Sequence, residues 1–328
     1  MKKSHLVPTA IMVALIAVAP FFVYPIFLMK ALCFALFACA FNMLLGYGGL
    51  LSFGHALFFG GAAYAAAHAA KDWGWHPEAA LLLGTITAAV LGTVVGLLAI
   101  RRQGIYFAMI TLALAQMFFF LCLRTPFTGG EDGIQGVPRG MLFGVIDLNN
   151  MYAMYCTVAA VFLIGFAILH RAVHSPFGQV LKAIRENEPR AISLGYDVNK
   201  YKLMAIVLSA SLAALAGATK TLVLGFETLT DVYWAMSGLV VLMTLVGGMG
   251  TLAGPIIGAV LIIALENKLG DFGTYLARHT GIEWFGTLGE SVTIVTGIIF
   301  VICVLMFRRG IVGEAIARFG GRGVNSVP

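Results

Sequence analysis

Residues 31–70 read ALCFALFACAFNMLLGYGGLLSFGHALFFGGAAYAAAHAA and contain no Asp, Glu, Lys or Arg. A membrane-spanning helix needs about 20 mostly apolar residues, so this stretch is long enough for two such helices. Glycines cluster near its middle, between Gly46 and Gly54. Because glycine readily adopts the backbone angles of tight reversals, the sequence predicts two membrane helices joined at these glycines.

Charge-free stretches of suitable length recur along the rest of the chain, at 4–29, 79–100, 103–123, 148–170, 203–219, 232–265 and 291–307. The stretch 232–265 is again too long for one helix and has glycines between Gly247 and Gly254, so it also predicts two. All these stretches are apolar on every side, unlike the alternating strands of a membrane barrel. The predicted fold is an all-α polytopic membrane protein with about ten transmembrane helices, in a range of eight to eleven, and two glycine-broken segments.

The composition excludes several classes of protein. Of the 328 residues, 60% are hydrophobic and 11% are charged, and the mean hydropathy is +0.94. Soluble domains carry roughly 25% charged residues, so the chain is neither an ordinary soluble enzyme nor a disordered segment. The net charge of +6 is interpreted as the excess of Lys and Arg that flanks membrane helices on the cytoplasmic side, and not as a nucleic-acid surface.

The distribution of Lys and Arg predicts the orientation in the membrane. With ten helices and the N-terminus inside, the inner segments hold 14 of the 21 basic residues. These are Lys2, Lys3, Arg101, Arg102, Arg171, Lys182, Arg185, Arg190, Lys200, Lys202, Arg308, Arg309, Arg318 and Arg322. Both termini are therefore expected in the cytoplasm, with the first apolar stretch kept as an uncleaved helix.

Two connections between the predicted helices are long. Residues 124–150 form a glycine-rich outer loop, and residues 171–202 form the longest inner loop. No polar stretch is long enough to build a separate soluble core. The whole chain, 1–328, is therefore predicted to be one transmembrane domain.

Motifs for catalysis are absent from the sequence. It contains no GxxxxGK[ST], GxSxG or HExxH pattern and no paired Cys/His cluster, so no catalytic residue and no metal site is predicted. Its five cysteines all fall in apolar stretches and are interpreted as small core residues. Three ionisable residues in or beside the helices, Lys220, Glu227 and Glu266, are expected near outer helix ends, where long side chains can reach the interface.

The inner loop contains two short amphipathic segments. Val180, Leu181 and Ile184 share one face of the first. The second is predicted to start at Pro189 and to end at Gly195, which suits a left-handed helix cap. Such a short helix must pack against something, so the loop is either a connector lying on the lipid surface or a docking helix for a cytoplasmic partner.

The two glycine-rich segments resemble each other across 199 positions, from Gly48 to Gly247. Matching broken helices are one indication of a transport pathway, whereas close helix packing explains such glycines equally well. The pathway hypothesis assigns a set of candidate residues: Gly48, Gly49, Ser52, Phe53, His55, Gly247, Gly248 and Thr251. For His55 the alternative is a buried histidine with an internal hydrogen-bond partner.

Several motifs resemble the LivM-type permease subunits of branched-chain amino-acid ABC importers. They are NMLLGYGGLLSFGHA at 42–56, SPFGQVLKAIREN at 175–187, SLGYDVNKYKL at 193–203, SASLAALAGA at 209–218 and GGMGTLAGP at 247–255. The resemblance covers roughly residues 30–310. It implies a multi-pass protein of the bacterial inner membrane that translocates leucine, isoleucine or valine, and related permeases carry other amino acids, amides or urea.

The resemblance also implies partners. These are a second, LivH-type permease, two cytoplasmic ATPases and a periplasmic substrate-binding protein that docks partly on the 124–150 loop. The chain itself binds no cofactor, because ATP and Mg belong to the ATPases. The implied coupling residues are Arg185, Glu186, Asn187, Glu188, Arg190, Ala191, Leu194 and Gly195.

Three other functions remain as alternatives at this stage. A stand-alone secondary transporter predicts a deep, essential carboxylate, and none is clearly placed. A membrane enzyme predicts ionisable residues clustered at one depth. A structural scaffold would not need two glycine-broken segments. If the importer hypothesis is right, a bulky acidic side chain at Ala191 or Gly195 should uncouple transport.

Overall fold

The computed structural model describes residues 6–280, 297–298, 301 and 310–319, which are mostly helical. The helices are α1 Leu6–Val18, α2 Pro25–Asn42, α3 His55–Lys71, α4 Pro77–Ala99, α5 Ile105–Arg124, α6 Met151–His174, α7 Pro176–Glu186, α8 Glu188–Ser193, α9 Val198–Leu224, α10 Trp234–Gly247, α11 Gly254–Thr280 and α12 Gly310–Phe319. A π-helical turn, Met43–Tyr47, continues α2. The four strands described are β1 Ile134–Gln135, β2 Met141–Leu142, β3 Ile146–Asp147 and β4 Phe226–Glu227.

Five of the described helical segments are long and apolar enough to cross a membrane: Pro25–Tyr47, Pro77–Ala99, Ile105–Arg124, Met151–His174 and Val198–Leu224. Their length and composition confirm a polytopic all-α membrane protein. The predicted helix at 291–307 lies outside the described residues apart from 297–298 and 301. The total of ten helices and the orientation of the termini therefore stay predictions.

Both long apolar stretches divide into two helices at the glycines, as expected, but α3 with 17 residues and α10 with 14 are shorter than the segments that can cross a membrane. Residues 31–70 fall in α2 and α3, and residues 232–265 fall in α10 and α11. The predicted end of the first helix, at residue 29, is wrong. The chain turns at Ala19–Phe21 and starts α2 at Pro25, because proline suits the first position of a helix, so the charge on Lys30 does not mark a helix end.

Each pair of helices is antiparallel. In the first, the ring of Phe41 faces that of His55 at 4.9 Å, and Phe37 stacks on Phe59 at 4.4 Å. Residue numbers thus rise on α3 as they fall on α2. In the second pair, the backbone of α10 meets the glycines that open α11, again in opposite order. The two glycine-rich segments are therefore reversals between neighbouring helices, called here reversal 1 (residues 48–54) and reversal 2 (residues 248–253).

Helix α9 lies at the centre of the bundle and packs against α2, α3 and α4. Glycines allow these helices to approach closely. A Cβ atom on Gly217 of α9 would lie 2.8 Å from the carbonyl carbon of Phe59 on α3, and one on Gly92 of α4 would lie 2.8 Å from the Cβ of Ala210 on α9. Close packing is thus one role of the glycines, as in other membrane helix pairs.

The connection from α5 to α6 carries most of the strand structure. Its β2 and β3 form a hairpin, with Met141 opposite Asp147. Its β1 pairs with β4 in the connection between α9 and α10, with Ile134 opposite Glu227. We call the end of the bundle that carries these strands the hairpin end. The opposite end carries α7 and α8, which lie in the predicted inner loop at residues 171–202. We call this loop the coupling loop, after the role predicted for it, and this end the coupling-loop end.

Three ionisable residues were expected near helix ends, with side chains that reach the membrane interface. Lys220 and Glu227 are buried instead of reaching the membrane interface. Lys220 Nζ contacts the carboxylate of Asp231 and lies 3.6 Å from Glu227 Oε2. Glu266 is half-buried and pairs with Lys30 of α2 at 3.6 Å. In each place opposite charges meet inside the bundle, which removes the need to reach water.

Candidate coupling and translocation site

Reversal 1 follows the π-helical turn at the end of α2. A π-helical turn is wider than an α-helical turn, and the chain leaves the helix after it, at Gly48 and Gly49. Gly49 has a φ of +70°, in the left-handed region that glycine adopts without strain. The backbone N–H of Leu50 donates to the carbonyl of Leu44 at 3.1 Å, which closes this helix end.

Reversal 2 is held against the end of α2 by the side chain of Asn42. The Asn42 amide Nδ2 donates to the carbonyl of Thr251 at 2.8 Å, and its Oδ1 accepts from the N–H of Gly250 at 2.9 Å. Asn42 is buried. Because unpaired backbone groups are costly inside a membrane protein, this one amide stabilises the non-helical backbone of the second reversal and fixes it to the helix that leads into reversal 1.

Thr251 closes reversal 2 from within. Its hydroxyl donates to the carbonyl of Gly248 at 2.8 Å and accepts from the N–H of Gly254 at 3.0 Å, at the start of α11. Gly248 and Gly250 have φ values of +126° and +78°. Two left-handed positions and a hydroxyl cap let α10 and α11 meet within a few residues.

Helix α7 contacts both reversals. Arg185 Nη1 donates to the carbonyl of Gly46, at the end of α2. The Arg185 side chain also lies against the places where Cβ atoms of Gly49 and Gly250 would be. One turn earlier, Lys182 Nζ lies 5.5 Å from the centre of the Tyr47 ring. The coupling loop is thus connected to the membrane helices through cationic side chains.

Helix α8 follows α7 after a single residue, Asn187. The Asn187 side chain accepts from the N–H of Arg190 at 3.0 Å and caps the helix. Gly195 ends the segment with a φ of +85°. Pro189 lies in the first turn, as the sequence predicted.

The buried side of α8 joins it to α7 and α9. Ala191 packs in a small apolar cluster with Val180 and Ile184 of α7 and Val198 of α9. Glu188 Oε2 pairs with Lys202 Nζ at 2.6 Å, and this lysine side chain is 3% exposed. A hydrogen bond from Lys200 holds the pKa of Asp197, which caps α9, below its usual range. These contacts fix α8 to the membrane helices.

The other side of α8 is exposed. Ile192 is 58% exposed and Leu194 is 69% exposed. Among the predicted coupling residues, Ala191 and Glu188 hold the loop in place, and Arg185 contacts the reversals although it is also exposed. The other exposed members are Glu186, Asn187, Arg190, Leu194 and Gly195.

The predicted pathway residues are mostly enclosed. Ser52, His55, Gly48, Gly247 and Gly248 are buried, Phe53 and Thr251 are half-buried, and Gly49 is exposed. The hydroxyl of Ser209 donates to the carbonyl of Ala40 at 2.6 Å, so it accepts from Nε2 of His55 at 2.9 Å. His55 therefore has an internal partner at Nε2, as the alternative interpretation requires, whereas its Nδ1 is buried without a hydrogen-bond partner among the described residues.

A cavity of about 1600 Å³ lies beside the two reversals. Its walls are mainly apolar side chains of α1, α2, α6 and α11, and its lining includes Gly46, Tyr47 and the backbone from Gly250 to Ala253. Arg185 contributes a cationic group to it. Of the predicted pathway residues, Thr251 lines this cavity and the other seven do not.

The role of Asn42 in joining α2 to reversal 2 was not predicted from the sequence. A signal was available, because Asn42 is the first amide side chain in an apolar stretch of 40 residues and precedes the glycines directly. A polar group at such a place usually has a specific partner. The partner itself, more than 200 positions away, could not be inferred from one sequence.

A family model for the permease component of branched-chain amino acid transport systems matches residues 24–306. The chain is 27% identical over 257 residues to the high-affinity branched-chain amino acid transport system permease protein LivM of Salmonella typhimurium, and equally so to LivM of Escherichia coli. Each match covers 71% of this chain and 60% of the relative. The ribose import permease protein RbsC of Bacillus subtilis is 29% identical over 243 residues, 72% of this chain and 70% of that protein.

The match therefore covers only part of each LivM protein. This chain spans about 60% of the length of the LivM proteins that it matches. The similarity includes the motifs at residues 42–56, 175–187 and 247–255 that contain the reversals and α7.

Proposed function

We propose, from the premise that this chain belongs to the family of branched-chain amino acid transport permease components, that it is the permease subunit of an ATP-driven importer. The observation that carries the proposal is the contact between the coupling loop and both reversals through Arg185. A loop that is fixed to the membrane helices on one side and exposes apolar residues on the other suits transmission of a movement from a partner. The chain itself performs no ATP chemistry in this scheme.

The proposed substrates are leucine, isoleucine and valine. The cavity beside the reversals has apolar walls, which suit branched aliphatic side chains. Its lining also includes Arg185 and Glu186, whose opposite charges suit a zwitterionic head group. The second permease subunit would complete this passage. The relatives that import ribose leave another small solute as the competing substrate class.

The proposed partners follow the same family premise. In an assembly with a second permease and two ATPase subunits, an ATPase subunit would dock on α8 through Ile192 and Leu194, and a periplasmic binding protein would deliver substrate at the hairpin end. The orientation that goes with this arrangement places α7 and α8 in the cytoplasm, at the bacterial inner membrane. ATP and Mg would bind to the ATPase subunits alone.

The test is uptake by the complete transporter. The complex is purified from native membranes in mild detergent, and its subunits are identified by mass spectrometry. It is then reconstituted into vesicles with its binding protein. We expect uptake of radiolabelled leucine, isoleucine and valine that needs MgATP on the α8 side and that excess unlabelled ribose or urea does not reduce.

Two other outcomes would change the conclusion. Uptake without ATP, driven by a proton gradient and carried out by this chain alone, would replace the importer by a secondary transporter. ATP-dependent uptake of ribose or urea in preference to leucine would keep the importer and overturn the branched-chain substrate.

A further inference from the structure

The β2–β3 hairpin presents an apolar tip at its end of the bundle. No charged residue lies between Arg139 and Asp147. Phe143 is 72% exposed and Val145 is 85% exposed, and Met141 and Ile146 are exposed beside them. A cluster of large apolar side chains at an ordered surface is costly in water and marks a surface that contacts something else.

The hairpin has a defined position, so this exposure does not arise from a loose loop. Leu142 is half-buried against the core, Leu148 is buried, and the N–H of Leu148 donates to the carbonyl of Gly140 at 3.2 Å. The N–H of Phe143 donates to Glu78 Oε2 at 3.3 Å. Since Glu78 lies in the first turn of α4, the tip is held against the hairpin end of that helix.

Below this contact, α4 exposes one continuous apolar face. Its exposed residues recur every four positions, at Leu82, Ile86, Val90, Val94 and Leu98. Spacing of three to four residues keeps side chains on neighbouring turns of one helix face. Glu78 precedes Leu82 by the same spacing, so the hairpin lies above this face. On a membrane protein such an exposed apolar face contacts acyl chains.

Exposed aromatic residues mark the level of the membrane interface nearby. Trp73 is 51% exposed and Trp75 is 45% exposed in the connection just before α4, and Tyr152 is exposed in the first turn of α6. Trp and Tyr concentrate at the boundary between acyl chains and head groups. The hairpin tip, fixed to the first turn of α4 and next in sequence to α6, therefore lies close to this boundary.

We propose that the β2–β3 hairpin is a lipid-binding element, with Met141, Phe143, Val145 and Ile146 inserted among the lipids of the leaflet at the hairpin end. Its position above the lipid-facing side of α4 favours lipid over a protein partner. The tip carries no charge for recognition of a polar protein surface. At its base, Arg139 donates to the carbonyl of Val223 at the end of α9, whereas Asp147 is exposed and can lie among the head groups. The element would fix the depth of the α5–α6 connection in the bilayer.

The test measures the depth of the tip. The cysteine variant Val145→Cys is made in a Cys156→Ser background, because Cys156 is the exposed cysteine among those described. It is labelled with an environment-sensitive thiol fluorophore, with the unsubstituted background as blank. Glu131→Cys, an exposed position in the same connection, is the matched control. Met141→Cys is a second tip position in case Val145→Cys does not fold.

Each labelled protein is placed in nanodiscs of phosphatidylethanolamine and phosphatidylglycerol. We expect lipids with a nitroxide near the head group to quench the probe at residue 145 several-fold more strongly than the probe at residue 131, and aqueous iodide to show the reverse order. Equal iodide quenching at both positions would overturn the proposal. So would shielding of the tip that appears only after a binding protein or a second permease is added, because that result assigns the tip to a protein interface.

Discussion

Three charged side chains, those of Lys220, Glu227 and Asp231, are buried together at the hairpin end, and Lys220 joins the other two. Lys220 of α9 contacts the carboxylates of Asp231 and Glu227, and its Nζ lies 5.8 Å from the centre of the Phe59 ring on α3. Thr221 donates to Glu227 Oε2 at 2.6 Å. The cluster fixes the connection from α9 to α10, and through the pairing of β4 with β1 it also fixes the connection from α5 to α6.

Removing the cation should therefore be costly. We expect Lys220→Met to reduce the free energy of unfolding by about 3–5 kcal/mol, because it leaves two buried carboxylates without a cation beside them. The triple variant Lys220→Met, Glu227→Gln, Asp231→Asn should recover much of the loss. Thermal unfolding in detergent measures both. Lys200→Met, which removes an exposed ion pair, is the control, and an equal loss for Lys200→Met would contradict the assignment.

At the scale of elements, the helix crossings depend on glycines that have distinct surroundings. A Cβ on Gly217 would collide with the backbone of Phe59, whereas nothing lies within 4 Å of the place where a Cβ on Gly238 would be. The two glycines lie in the middle of α9 and α10, so their helix propensities are comparable.

The pair provides a matched test of packing. Gly217→Ala should destabilise the protein by about 1–3 kcal/mol, since α3 and α9 must move apart. Gly238→Ala should be neutral or slightly stabilising, because alanine favours helix. The yield of monodisperse protein and the thermal midpoint in detergent compare the two. A tolerated Gly217→Ala beside a harmful Gly238→Ala would refute this interpretation of the α3–α9 crossing.

The second element-scale test concerns the link from α7 to the reversals. Arg185→Ala removes a charge-assisted hydrogen bond to Gly46 of the kind worth about 1.5–3 kcal/mol, so we expect transport to fall by roughly tenfold. Partner ATPases should still co-purify and hydrolyse ATP, since the exposed side of α8 is unchanged. Arg185→Lys should restore part of the transport, because a cation still reaches the carbonyl.

Arg171→Ala controls for loss of positive charge at the same end of the bundle, where Arg171 is exposed. If Arg185→Ala transports normally, or if it loses the ATPases along with transport, the side chain does not carry the movement that we propose.

The sequence predicted helices and their reversals better than it predicted contacts. The two apolar stretches that contain the reversals were divided correctly, because glycines and length are local properties. The start of α2 was misplaced, since Lys30 was treated as a boundary although Glu266 neutralises it inside the bundle. Pairings such as Asn42 with reversal 2 depend on tertiary structure, and a single sequence does not contain that information.

For the whole molecule, the exposed side of α8 is the surface on which the proposed assembly depends. From the sequence alone, Ala191 and Gly195 are the natural test positions. The structure makes both poor probes, because Ala191 is buried in the loop cluster and Gly195 has a φ of +85°. An acidic side chain at either position would disturb the loop as well as any docking, so Ile192 and Leu194 are the better positions.

We expect Ile192→Ser combined with Leu194→Ser to abolish co-purification of the ATPase subunits, because the substitutions remove the exposed apolar pair from the proposed interface. The thermal midpoint of the isolated chain should not change, since neither side chain packs in the core. Ile105→Ser, at an exposed apolar position at the start of α5 and at the same end of the bundle, is the control. Retained ATPases in the double variant would exclude this surface as their docking site.

The central position of α9 has a consequence for how the protein is made. The ribosome releases α2, α3 and α4 long before α9, and all three helices pack on α9 in the finished bundle. Helices α3 and α4 also pack on each other, with Gly84 of α4 against Ala62 of α3, so this pair can form as soon as both are inserted. Gly92 of α4 meets Ala210 of α9, and that contact must wait for the later helix. An early helix pair therefore keeps one side open in the bilayer until α9 packs against it.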